Sequence, residues 1–173
     1  LSYELTSLPP DYAFLVMHSG SGRKLSEGLY NQRVAECDAA AAEIGVASLR
    51  DAALSDLDLL DDAVAVQRAR HVISENDRVL AACAALVDGD AAGFGRLMND
   101  SHESLMNDYE VSSDRLDRLV ATAREAGALG ARLTGAGFGG CVVVLVEVGR
   151  ADAVLEAVLT DCEDAWLVDR IDG

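Results

Sequence analysis

The spacing of apolar positions changes along the chain, and the changes mark out strands and helices. Tyr12 to His18 (YAFLVMH) is an unbroken apolar and aromatic run of the length of a buried strand, entered through a Pro9-Pro10-Asp11 turn and left through Ser19 to Gly22. Leu1 to Leu8 also reads as a strand. From Leu25 to about Ile44 the period becomes helical: Leu29, Val34, Cys37, Ala40, Ala41 and Ile44 recur at three- and four-residue steps, and Gly45 can close the helix. Ser55 is expected to cap a short helix through Leu60. Asp62 to Val87 reads as a long helix whose inner side carries Val64, Ala65, Arg68, Val72, Val79, Ala82, Cys83 and Leu86, with Asp88-Gly89 as its stop.

A further helix is expected from about Ala91 to Asn107. Ser113 then opens another, with Leu116, Leu119, Val120 and Ala123 on one side and Gly127 as terminator. Past Gly127 the period returns to that of strands: GARLT is short, CVVVLVEV (Cys141 to Val148) is β-branched, Ala151 to Leu159 is helical, and AWLVDRI is a last strand. Strand, helices, strand, strand, helix, strand is the order of an α+β fold with an antiparallel sheet of split β-α-β (ferredoxin-like) type and an expanded helical block. With 173 residues and no low-complexity linker, one domain over 1–173 is expected.

Charge narrows the choice of partner. Fourteen Lys and Arg against 30 Asp and Glu leave a formal charge of -16, whose field opposes DNA or RNA, so no nucleic-acid partner is expected. A phosphate ligand would then need local donors, such as loop amides or an arginine, and a divalent cation. No window approaches the roughly 18 apolar residues of a membrane span, and no secretory pattern opens the chain; the expectation is a cytoplasmic protein without a membrane partner. Cys37, Cys83, Cys141 and Cys162 show no metal spacing and lie in apolar stretches, so buried free thiols are expected.

The densest chemical signal is Thr134-Gly135-Ala136-Gly137-Phe138-Gly139-Gly140-Cys141. It satisfies G-x-G-x-x-G, but a strand follows it where a dinucleotide fingerprint needs a helix, and it lacks the G-K-[ST] of a phosphate-binding P-loop. On the loop alone, a tight hairpin connection and a ligand-facing loop are equally good readings. Ala136 is expected at negative φ, which leaves the demanding angles to Gly135, Gly137, Gly139 or Gly140. His71 and Glu75, four apart, read as a surface pair. His102, Ser104, Asp108, Tyr109 and Glu110 read as structural support rather than as a metal or acid-base site, and Asp56, Asp58, Asp61 and Asp62 as a solvated acidic face. No metal site is expected in the chain.

Three segments together carry a resemblance: RKLSEGLYNQRVAEC, SHESLMNDYEVSSDRLDRLV and GARLTGAGFGGCVVVLV. In this order and spacing they closely resemble the C-terminal half of galactokinases in the GHMP sugar-kinase superfamily, and the likeness runs over nearly the whole chain. It implies the superfamily's C-terminal domain fold and a parent enzyme that phosphorylates galactose at its anomeric hydroxyl with ATP and Mg2+. Tyr30 matches the family tyrosine that contacts the sugar; without that match it reads as an interface tyrosine. Gly135, Ala136, Gly137, Phe138, Gly139 and Gly140 match the family's third motif, beside the active site. Arg23, with Lys24, stands where the family carries basic residues near the nucleotide, and otherwise reads as part of a solvated pair.

The same resemblance implies what to expect elsewhere. The catalytic aspartate, the sugar-binding G-E-H-x-D and the serine-rich phosphate loop belong to sequence before Leu1, so no catalytic residue is assigned here. The chain, starting at Leu rather than Met, is expected to be a fragment whose packing partner is an N-terminal ATP-binding domain, and to be inactive by itself. A kinase for another sugar, or a non-catalytic sugar-responsive relative, remain the alternatives.

Overall fold

Strand β1 (Tyr12–His18) runs antiparallel between β3 (Cys141–Glu147) and β4 (Trp166–Asp172), and β2 (Gly130–Thr134) pairs with the far side of β3. The order β2-β3-β1-β4 is that of a ferredoxin-like sheet, as the element order predicts. The structure, a computed structural model, describes residues 8–21 and 26–173. The expected strand at Leu1 to Leu8 falls almost wholly, and Arg23 and Lys24 fall entirely, outside the described residues.

Alternation along the strands divides the sheet into two faces. Ala13, Leu15 and Met17 lie across from Val146, Val144 and Val142, and these join Ala131 and Leu133 in a fully buried layer. That layer packs beneath α4 (Asp114–Glu125) and α5 (Ala151–Asp161) through Leu116, Leu119, Val120, Ala123, Val154 and Val158. Each leucine so buried contributes about 1.5–3 kcal/mol relative to exposure. A second, smaller core joins α1 (Ser26–Ile44) to α2 (Ala63–Val87) through Ala40, Ala41, Ala65, Ala69 and Ile73.

Helix α3 (Ala91–Asn107) settles the fate of the exposed edge of β2. Asn99 accepts the Ala131 amide at 3.0 Å and donates to the Leu129 carbonyl at 3.2 Å, while His102 Nδ1 accepts the Leu133 amide at 3.3 Å. Side chains thus satisfy groups that would otherwise template a further strand. The approach is close enough that a Cβ on Gly95 would stand 2.5 Å from the Leu129 carbonyl oxygen, which explains a glycine in mid-helix.

Several local expectations are corrected. The short helix before α2 is a 3-10 turn over Leu54–Leu59 preceded by Ala53, not one capped by Ser55; the Asp56 carboxylate, a stronger acceptor, takes the Ala53 amide at 2.8 Å. Asp62 does cap α2, accepting from Ala65 at 2.9 Å. Cys83 is exposed rather than buried, and Cys37, Cys141 and Cys162 are only partly covered. Cys83 sits in the second half of α2, where Val79, Leu80 and Val87 are exposed as well. His71 is buried, not a surface residue, for reasons given below.

Candidate functional site

The glycine loop joins β2 to β3 as a hairpin, with Thr134 opposite Cys141 at its base. It is held on two sides. Ser19 donates its amide to the Gly140 carbonyl at 2.8 Å, and the Gly140 amide reaches the Ser21 carbonyl at 3.4 Å, tying the loop to the segment that leaves β1. On the other side the Phe138 amide donates to the Val111 carbonyl at 2.6 Å. Gly137 and Gly139 are buried, and Gly135 and Ala136 form the exposed tip.

Gly135, Gly137, Gly139 and Gly140 all have positive φ, and Ala136 does not, as the sequence predicts. Phe138 was not expected in this class, yet its φ is +60°, a conformation a bulky residue adopts only when its surroundings impose it. The bond to Val111 and the partial burial of its ring supply that constraint. His18, at the end of β1 opposite both Cys141 and Trp166, stacks on the Trp166 ring at 4.0 Å and accepts the Gly20 amide through Nδ1. The base of the loop is therefore rigidly built.

Tyr30 lies on α1 and is 52% exposed. One helical turn further, Arg33 is buried and donates from Nε to the Tyr109 carbonyl at 2.7 Å and from Nη2 to the Glu110 carbonyl at 3.1 Å. Val111, next in sequence, is the residue that receives Phe138. Arg33, one helical turn from Tyr30, and the glycine loop thus meet the same turn, residues 108–111, from two sides. Arg23 cannot be placed, since it lies outside the described residues.

The turn itself is a cluster that sequence reading treated only as support. Arg68 of α2, 2% exposed, donates to Glu36 at 2.6 Å, to the Asp108 carbonyl at 2.6 Å and to Glu110 at 2.5 Å. Burial pushes the Glu36 carboxyl up, but hydrogen bonds from Arg68 and Gln32 and the charges of Arg68 and Arg33 outweigh it and hold it below the usual range. Burial likewise works against the Arg68 cation, and its bonds to Glu36 and Glu110 prevail. A signal was present: Arg68 falls among the apolar positions of α2, and a cation on a buried face needs partners.

His71 stacks on Tyr109 at 4.4 Å, and its Nδ1 lies 3.0 Å from Ser104 Oγ, which donates to Asp108 at 2.9 Å. Burial lowers the His71 pKa to about 4, so the ring is neutral near pH 7. Burial also raises the Tyr109 phenol, with smaller contributions from Cys37 and Tyr30. His102 is lowered by burial, partly opposed by Asp117, whose carboxylate stands 3.2 Å from Nε2.

Beside Ser19 opens a cleft of about 480 Å³ that includes Arg115, Arg118, Asp161 and Asp164. Its arginines are already engaged, Arg115 with Asp164 at 2.7 Å and Arg118 with Asp161 at 2.6 Å. Among the described residues no three His, Cys, Asp or Glu side chains converge to hold a metal ion. No described helix is long and apolar enough to cross a membrane.

Known proteins share this architecture and sequence. Residues 80–164 match the family described as GHMP kinases C terminal. A galactokinase of a Roseiflexus species is 49% identical over 158 residues, spanning 85% of this chain and 40% of that protein. The Enterococcus faecalis galactokinase is 43% identical over 164 residues, 89% of this chain and 42% of the relative. The crystal structure of Lactococcus lactis galactokinase complexed with galactose superposes with a TM-score of 0.92 at 37% identity, covering all of this chain and 48% of that one. The chain therefore spans less than half the length of these relatives. A phosphomevalonate kinase from Streptococcus pneumoniae, at 13% identity and a TM-score of 0.63, shares the fold alone. By these likenesses the chain has the fold of the GHMP kinase C-terminal domain, and nearly all of it is similar to the C-terminal part of galactokinases.

Proposed function

We propose that this chain is the C-terminal part of a galactokinase that transfers the terminal phosphoryl group of ATP to the anomeric hydroxyl of galactose. The observation that carries the reading is the superposition of the entire chain on Lactococcus lactis galactokinase, a protein crystallised with galactose. In this reading the Tyr30 phenol, exposed at the start of α1, meets the sugar with an apolar ring face and a hydroxyl that both donates and accepts. The loop Gly135 to Gly140 closes the phosphate side of the cleft, where fixed backbone amides stabilise charge without reorganisation.

Phosphoryl transfer rests on positioning and charge stabilisation. The attacking hydroxyl needs a base and the phosphates need magnesium, and both belong in this reading to the N-terminal ATP-binding half, which packs on this domain. The chain supplies part of the wall and no catalytic residue. The enzyme works in the cytoplasm.

The test is an ADP-release assay with galactose and ATP on the two-domain protein and on the 173-residue chain alone. Galactose-dependent turnover is expected from the first and none from the second. Absence of galactose 1-phosphate with the two-domain protein would overturn the reading and favour a sugar-responsive relative.

A further inference from the structure

Four successive carbonyls, from Asp108 to Val111, are each taken by a donor from another part of the chain. Arg68 Nη1 holds Asp108, Arg33 holds Tyr109 and Glu110 through Nε and Nη2, and the Phe138 amide holds Val111. Within this stretch Glu110 sits at φ +51°, a conformation that non-glycine residues keep only when neighbours over-determine it. The Glu110 carboxylate also returns to Arg68 Nη2 at 2.5 Å.

The geometry points to Arg68 and Arg33 as positioning residues for the glycine loop, acting through the 108–111 turn. Two planar guanidinium forks, one from α2 and one from α1, fix three peptide planes in a row. The next plane presents the Val111 carbonyl, the hydrogen-bond acceptor of the Phe138 amide, and Phe138 stands at φ +60° with its ring partly buried against the core. If the Asp108 to Glu110 planes are free to rotate, the Val111 carbonyl swings with them, and Phe138 loses the contact that keeps the Gly135–Ala136 tip in place. Arg33 lies one turn from Tyr30, so one clamp sets the spacing between the two faces assigned to sugar and phosphate. That consequence rests on the proposed kinase reading; the coupling to the loop does not.

Amide exchange at Phe138 in the 173-residue chain tests the coupling. Arg68→Lys keeps a cation but removes the fork, and the Phe138 amide should exchange about tenfold faster or more while Val142 and Val144 in β3 keep wild-type protection. Glu110→Gln, at a carboxylate half open to solvent, should move Phe138 in the same direction by less. If Arg68→Lys also exposes Val142, the fold has been lost, and Glu110→Gln decides alone. Wild-type protection of Phe138 in a folded variant overturns the inference.

In the two-domain protein, Arg68→Lys should lower kcat with galactose KM within twofold of wild type. A rise in Phe138 exchange with unchanged kcat would overturn the assignment of a positioning role. If the wild-type protein makes no galactose 1-phosphate, the kinase reading falls while the exchange result still decides the coupling.

Discussion

Val111 receives the Phe138 amide at 2.6 Å, and Gly137, one residue before Phe138, presses against the same carbonyl so closely that a Cβ would overlap it. Gly137 also has φ +80°. Both constraints forbid a side chain. Gly137→Ala is therefore expected to cost about 1–3 kcal/mol of stability, since the clash is with backbone and cannot be relieved by a rotamer change. Urea denaturation of the chain checks the loss; a variant as stable as wild type would show that the loop can move off Val111.

Tyr30 is half exposed, so removing its hydroxyl should leave thermal stability little changed. In the two-domain protein Tyr30→Phe should raise the KM for galactose about three- to tenfold, the worth of one hydrogen bond. Steady-state kinetics with galactose varied at saturating ATP measure it. Unchanged kinetics would remove Tyr30 from the site.

His71 makes the fold sensitive to mild acid. Its pKa is lowered by burial from near 6.5 to about 4, with Arg78 and Arg132 lowering it further and Glu75 and Asp108 partly opposing. The unfolded chain binds the proton first as pH falls, so the contribution is intact above about pH 6.5 and is lost progressively down to about pH 4. The loss is at most about 3 kcal/mol. Denaturation at pH 7, 5.5 and 4.5 should show it, and His71→Asn should flatten the slope between the first two points.

Asn99 closes the edge of β2 with one donor and one acceptor. Asn99→Ala leaves the Ala131 amide and Leu129 carbonyl without those partners and should cost about 1–3 kcal/mol. An exposed strand edge should also favour association, which light scattering at rising concentration would detect. Full stability and a monomer-like signal equal to that of wild type would show that water replaces the side chain.

Strands β1 to β3 and α4 were legible because their apolar positions match the burial they encounter: Leu116, Leu119, Val120 and Ala123 are the buried face of α4. The second half of α2 misled for the opposite reason. Val79 and Cys83 continue the apolar period, yet both are exposed: Val79 only lines an open cleft with Phe14, Phe94 and Val143. In the candidate site, the glycines announced their positive φ, whereas Phe138 could not, because its backbone is set by Val111, 27 positions away.

Local chemistry was sufficient to mark where the backbone turns, which helices have a buried stripe and which loop is unusual, since propensity, capping and glycine geometry act between near neighbours. Arg68, recognisable only as a cation out of place, acquired its meaning from partners on α1 and on the turn after α3. The meeting of that clamp with the glycine loop was decided by tertiary packing alone, because hydrogen bonds between residues distant in the chain depend on how the helices cross the sheet, and no short-range pattern encodes that crossing.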